Sequence, residues 1–163
     1  MFKAGIITCS DKGFKGERED LSGALIRDIL EEAGYFVERF VVVPDEKDKI
    51  KEELILMSDS LGLDLILTTG GTGFSPRDIT PEATLEVMDR NAEGIAQAIR
   101  SYSLSITKRA MLSRAVSVIR GNTLIVNMPG SPKAVKEALE YILETLHHGL
   151  EILTDKAHDC ARK

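Results

Sequence analysis

The chain has 163 residues, 43% of them hydrophobic and 29% charged, a size and composition that suit one globular domain with a full hydrophobic core. Its formal net charge of -5 argues against a general nucleic-acid footprint, so an anionic ligand has to be held by local donors or by a metal. No apolar run is long enough to span a bilayer, which argues against a membrane protein.

The opening MFKAGIITCS lacks a basic region followed by a long apolar segment and a cleavage site, so no signal peptide is expected. The only cysteines are Cys9 and Cys160, near opposite ends. A disulfide framework is therefore not expected, and a reducing cytoplasm fits.

In chain order, Phe2 to Cys9 is predicted as a buried strand. Leu21, Leu25, Ile26, Ile29, Leu30 and Ala33 then recur at helical spacing, with Gly34 as the stop. Tyr35 to Val43, rich in β-branched and aromatic residues, is predicted as a second strand, ended by Pro44. Asp45 is placed to cap a helix carrying Ile50, Leu54, Ile55 and Leu61. Leu63 to Thr69 is predicted as a third strand, and Thr80-Pro81-Glu82 as a helix start with Thr80 as cap. Ile95 to Leu104 is a further helical segment. Ala115 to Arg120 and Thr123 to Met128 are predicted as strands joined in a hairpin by Gly121-Asn122. Ser131-Pro132 repeats the cap-then-proline start and opens a long amphipathic helix.

Alternating strands and helices imply a parallel sheet covered on both faces, and the hairpin adds one antiparallel strand. The expected fold is α/β: a three-layer α/β/α sandwich with a mostly parallel mixed sheet. Residues 1–153 are expected to form a single domain, and 154–163 a loose polar tail.

In such folds ligands sit beyond the carboxyl ends of the parallel strands. Three loops leave those ends: Ser10 to Asp20, Pro44-Asp45-Glu46 and Gly70 to Asp78. A fourth, Pro129-Gly130-Ser131, could join them.

Gly70-Gly71-Thr72-Gly73 follows a strand and leads toward a helix. Glycines let a backbone turn its amides inward as an anion nest, although a tight turn without a ligand has the same composition. No Gly-Lys-Ser/Thr follows, so this is not a Walker A loop, and it is not the dinucleotide-binding GxGxxG. Asp45 and Asp78 on the same edge could hold Mg²⁺, which prefers oxygen ligands and phosphate. Alternatively, Asp45 is a plain helix cap, and Asp78 belongs to a turn or pairs with Arg77. Arg77 could equally clamp a phosphate. The helix start at Ser131 favours phosphate, with Lys133 adding charge. SDKGFKGERED is either a solvated surface loop or a flap over the site.

His147-His148 lies at a helix end, where neighbours point apart. His158-Asp159-Cys160 is a thin set of metal ligands in the tail. There is no GxSxG elbow, and Cys9 lacks the sequence signature of a catalytic thiol.

TTGGTG, then SPRDITPEAT, LSRA, IRG and NMPGSPKAV occur in that order, after an opening ITCSDKG and EDLSG. This combination resembles the MogA/MoaB molybdopterin-binding family from about Lys3 to Leu153. The resemblance implies a mixed-sheet sandwich assembled as a homotrimer or a hexamer. The implied activity is transfer of AMP from Mg-ATP to the terminal phosphate of molybdopterin, with release of pyrophosphate. A molybdenum insertase is the implied downstream partner.

By the same resemblance Asp45 and Asp78 are the catalytic acids, assigned to Mg²⁺ and nucleotide positioning. Gly70, Gly71, Thr72 and Gly73 would cradle nucleotide phosphates. Ser113, Pro129, Gly130 and Ser131 would contact molybdopterin. Ser10, Asp11, Asp20, Ser22 and Gly23 match the family's opening motif. Two other readings stay open: a carrier that binds molybdopterin without chemistry, and a nucleotide-hydrolysing domain with no pterin.

Overall fold

The computed structural model describes residues 1–156. In chain order the elements are strand β1 (Lys3–Cys9), the short helix α1 (Asp11–Phe14), α2 (Leu21–Glu32), β2 (Phe36–Val43), α3 (Lys47–Ile55) and β3 (Leu65–Thr69). There follow α4 (Thr80–Val87), β4 (Arg90–Asn91), α5 (Gly94–Leu104), β5 (Ser117–Arg120), β6 (Thr123–Met128) and α6 (Pro132–Leu153). A π-helical turn at Leu56–Ser60 extends α3, and a 3-10 turn at Lys108–Leu112 precedes β5.

The strands form one six-stranded sheet in the order β2-β1-β3-β6-β5-β4. β2, β1, β3 and β6 run parallel, while β5 is antiparallel to both β6 and β4. The Gly121-Asn122 hairpin is therefore as expected. The edge strand β4 was not. Its two residues are exposed, so no burial pattern marks it in the sequence.

Every residue of β3 is buried, as a central parallel strand covered on both faces requires. Alternate side chains feed two cores. Ile6, Leu65, Leu67 and Val126 pack with Ile26 and Leu30 of α2, Ile99 of α5 and Leu139 and Leu146 of α6. Ile7, Ile66 and Ile125 point the other way, onto Ile50 and Leu54 of α3 and Ala83 and Val87 of α4. Burying each such aliphatic side chain contributes about 1.5–3 kcal/mol. The result is the three-layer α/β/α sandwich.

The sheet places the site through a change of face. β1 leads into α2 on the first face, whereas the neighbouring β3 leads into α4 on the second. The two loops part above adjacent carboxyl ends and open a crevice between them.

Two predicted caps are corrected. The N-cap of α3 is Glu46, whose side chain makes no capping hydrogen bond. The Asp45 carboxylate instead accepts the Asp11 amide at 3.0 Å. Thr80 lies within α4 after an Ile79 N-cap, and its own amide donates to the Gly71 carbonyl at 3.1 Å. Ser131 does cap α6, accepting the Ala134 amide at 3.3 Å, with Pro132 in the first turn. His158-Asp159-Cys160 and most of the expected tail lie outside the described residues.

Candidate active site

A cavity of about 560 Å³ lies over the carboxyl ends of β1, β3 and β6. Of the residues picked from the sequence, Ser10, Asp20, Ser22, Asp45 and Asp78 line it, with Gly70, Gly71, Gly130 and Ser131. Asp11, Gly23, Thr72, Gly73, Ser113 and Pro129 do not line it. Arg18 and Glu19 of the SDKGFKGERED loop and Leu21 of EDLSG also line the cavity, though not singled out in the sequence, as do the strand ends Thr8, Cys9 and Thr69. Position on a strand terminus was the available signal for Thr8 and Thr69.

Asp45 and Asp11 are bound reciprocally. The Asp11 amide donates to Asp45 Oδ2 and the Asp45 amide to Asp11 Oδ1, each at 3.0 Å. Arg77 forks onto Asp11 from the solvent side, Nε to Oδ2 at 3.0 Å and Nη2 to Oδ1 at 2.9 Å. Arg77 thus pairs with Asp11 rather than with Asp78. That pairing, foremost its hydrogen bonds, holds the Asp11 carboxyl below its ordinary range. Burial pushes Asp45 the other way, and the negative charges of Asp11 and Asp78 add to it. Among the described residues, Asp45 Oδ1 is buried without a hydrogen-bond partner.

Asp78 closes the glycine loop on itself. Its Oδ2 accepts the amides of Gly73 at 3.1 Å and Ser75 at 3.2 Å. Gly70 has φ 90° and Gly71 φ 67°, both in the left-handed region open to glycine. A Cβ on Gly70 would come within 2.4 Å of the Cys9 carbonyl oxygen, and one on Gly71 within 2.3 Å of Thr80 Oγ1. The Arg114 side chain reaches the same loop from outside, through the carbonyls of Gly73 and Asp78. Arg114 was missed; its place in LSRA was the only signal.

The opposite wall is built from two helix starts. Asp20 caps α2 by accepting the Gly23 amide at 2.9 Å, and Thr8 Oγ1 donates to its other oxygen at 2.6 Å. A Cβ on Gly23 would strike that Asp20 oxygen at 2.3 Å. Ser22 Oγ donates to the Gly130 carbonyl at 2.7 Å, tying the start of α2 to the turn before α6. Thr69 Oγ1 holds the Pro129 carbonyl at 2.6 Å. Ser10 caps α1 through the Gly13 amide at 3.0 Å. Ser113 Oγ accepts the amide of Ala115 at 3.3 Å, within its own turn.

Cys9 is buried, and burial pushes its thiol up to about 12. It is not a thiolate nucleophile near neutral pH. His147 packs edge-on to Phe2 with ring centroids 5.0 Å apart, away from the cavity. Among the described residues, no three His, Cys, Asp or Glu side chains come together as a metal cage.

Residues 5–148 match the family described as a probable molybdopterin binding domain. The chain belongs to that family. The molybdopterin adenylyltransferase of Helicobacter pylori is 39% identical over 153 residues, covering 91% of this chain and 86% of that protein. The molybdenum cofactor synthesis protein cinnamon of Drosophila melanogaster is 42% identical over 93% of this chain, which spans only 25% of that longer protein. The crystal structure of the molybdopterin biosynthesis enzyme MoaB from Thermus thermophilus is 50% identical, with a TM-score of 0.90 over 98% of this chain and 100% of that one. Among the described residues, no helix of this molybdopterin-binding family member is long and apolar enough to cross a membrane.

Proposed function

We propose that the chain is a molybdopterin adenylyltransferase, transferring AMP from ATP to the terminal phosphate of molybdopterin. A phosphate oxygen of the pterin attacks the α-phosphorus of ATP. The bond from that phosphorus to the bridging oxygen breaks, and pyrophosphate leaves with the electron pair. The observation carrying this reading is Asp45 and Asp78 on the wall of a cavity that also takes in the glycine turn and the start of α6, in a chain 39% identical to a molybdopterin adenylyltransferase.

The attacking group is the substrate's own phosphate, ionised at neutral pH, so no protein nucleophile is required. The work left to the protein is alignment and charge neutralisation. Of the glycine loop, Gly70 and Gly71 on the cavity wall would present amides to nucleotide phosphates, while the Gly73 amide is engaged by the Asp78 carboxylate. Gly130, Ser131 and the first turn of α6 would receive the pterin phosphate, with the Pro129 carbonyl held by Thr69. Ser10, Asp20 and Ser22 would shape the remaining wall, with Asp11 holding Asp45 and the Gly23 amide holding Asp20.

Mg²⁺ fits the acidic wall. It binds through one or two carboxylates plus substrate phosphates, without needing a closed protein cage, and Asp45 Oδ1 has no hydrogen-bond partner among the described residues. Asp45 and Asp78 would hold the ion, which supplies positive charge against the triphosphate.

The same reading includes assembly as a homotrimer or hexamer in the cytoplasm, with delivery to a molybdenum insertase. Exposed Leu104, Ile106, Met111 and Leu112 are apolar surface of the kind an assembly covers. Mass measured by light scattering tests the assembly.

The test of function is a single-turnover assay with molybdopterin, Mg²⁺ and α-labelled ATP, run beside Asp78→Asn. Label on the pterin, pyrophosphate in solution and an inactive variant are expected. Tight pterin binding without transfer would replace this reading with that of a carrier.

A further inference from the structure

The loop from Gly70 to Asp78 is gripped from two sides. Toward the cavity, the Asp78 carboxylate gathers the amides of Gly73 and Ser75. Away from it, one residue collects the carbonyls. The Arg114 amide donates to the Thr72 carbonyl at 2.8 Å. Its Nε donates to the Gly73 carbonyl at 2.8 Å and its Nη2 to the Asp78 carbonyl at 2.5 Å. Its Nη1 pairs with the Glu82 carboxylate in the first turn of α4. One guanidinium therefore spans the glycine turn, the backbone of the acid and the helix that follows.

Such a grip has a physical purpose here. A glycine-rich turn has more conformational freedom to lose than any other, so its fixed shape needs restraint from outside. A guanidinium presents donors in a rigid planar fork, which an ammonium cannot reproduce. The segment bearing Arg114 is itself fixed: Arg100 Nε donates to the Ser113 carbonyl at 3.1 Å and Nη2 to the Ala115 carbonyl at 2.7 Å. Arg114 does not line the cavity, so any effect on chemistry passes through the loop.

We propose that Arg114 is a positioning residue for AMP transfer, fixing the backbone of Gly73 and Asp78 so that the Asp78 carboxylate stands where the phosphates react. The inference rests on the adenylyltransferase reading above. Arg120 provides the control. It makes a similar set of bonds, forking onto Asp59 at 2.9 and 2.7 Å and reaching the Val87 carbonyl at 2.8 Å, but it ties β5 to the turn after α3 and the end of α4 rather than to the cavity.

The experiment compares wild type, Arg114→Ala, Arg114→Lys and Arg120→Ala in single turnover with molybdopterin, Mg²⁺ and α-labelled ATP. Pterin affinity and thermal unfolding are measured beside it. Arg114→Ala should slow AMP transfer about 100-fold at saturating substrates, the scale expected when a reacting geometry shifts by about an ångström. Pterin affinity should stay within about threefold, because the loss lies in the reacting geometry rather than in ground-state binding. Arg114→Lys should recover only part of the rate, since it restores the charge without the fork. Arg120→Ala should lower the unfolding midpoint yet transfer AMP at the wild-type rate.

Should Arg114→Ala not fold, Arg114→Lys carries the test by the same split between rate and pterin affinity. Full activity in the Arg114 variants, or an equal rate loss in Arg120→Ala at matched stability, overturns the proposal. A wild-type protein that transfers no AMP overturns the adenylyltransferase reading, and this inference falls with it; that outcome is read from the wild type alone.

Discussion

Asp45 and Asp78 reach one cavity wall by different means. Asp45 leaves β2 in a short turn, gives one carboxylate oxygen to the Asp11 amide and keeps the other unpartnered. Burial and the neighbouring negative charges oppose its ionisation. The Asp78 carboxylate already holds two loop amides, and its backbone is fastened by Arg114. One acid is thus kept available at some cost to the fold, while the other shapes the loop that carries it. The contrast teaches that a site residue can be a structural asset or a structural burden, and that substitutions should separate the two.

The largest expected effect sharpens that contrast. Asp45→Asn should cut AMP transfer about 10²–10³-fold, as losing a preorganised charge at a reacting phosphate does. Its unfolding free energy should stay level or rise, because repulsion with Asp11 and Asp78 is relieved. Asp78→Asn should lose activity and also about 1 kcal/mol of stability or more, since charge-assisted bonds to two amides weaken. Denaturant titration of both variants is the check. Equal stability changes would remove the distinction between the acids.

A second prediction compares the two turns that line the cavity. Gly70→Ala combines a left-handed backbone with a Cβ placed 2.4 Å from the Cys9 carbonyl oxygen. It should destabilise by roughly 2–4 kcal/mol, strain and overpacking together. Gly130→Ala meets its nearest neighbour, Gly70 Cα, at 3.6 Å, an ordinary contact, and should stay within about 0.5 kcal/mol. Similar midpoints for the two variants in thermal unfolding would mean that the glycine loop yields more readily than its geometry implies.

Much of this was legible in the sequence, for a definite reason. Central strands such as Leu65–Thr69 are apolar runs, and α6 repeats its buried residues at helical spacing, so hydrophobic period alone places them. The cavity's position followed from the same pattern, because carboxyl ends of parallel strands gather their loops. What escaped depended on distant partners. Asp45 looked like a cap because it precedes a helix, yet its carboxylate answers to Asp11, 34 residues away. Thr80 also has the composition of a cap, but the chain turns it inward as a fully buried residue of α4. Arg114 grips carbonyls 41 and 36 residues away. Main-chain carbonyls have no identity in a sequence, so no motif could announce that contact.

The smallest expected effect lies in pH dependence, where Asp45 and its reciprocal partner Asp11 should act with opposite signs. The folded pKa of Asp45 is raised, by burial first. Its contribution to stability is therefore present below the unfolded carboxylate value and is lost as pH rises through the folded one. That of Asp11 is lowered, foremost by its hydrogen bonds from Arg77. Its contribution is present above the unfolded value and is lost as pH falls through the folded one. In the wild type the two partly cancel across the carboxylate range. Asp45→Asn removes a gain on acidification, so its stability should fall more steeply than wild type from about pH 6 to about pH 3, the span in which carboxylates titrate. Asp11→Asn removes a loss, so its stability should fall less steeply over the same span. Solvent screening at the exposed Arg77 keeps the Asp11 deviation small, and denaturant titration at closely spaced pH values is needed to resolve the two. Deviations of the same sign would mean that burial does not dominate at Asp45, and the two reciprocal acids would then have to be treated as one coupled pair.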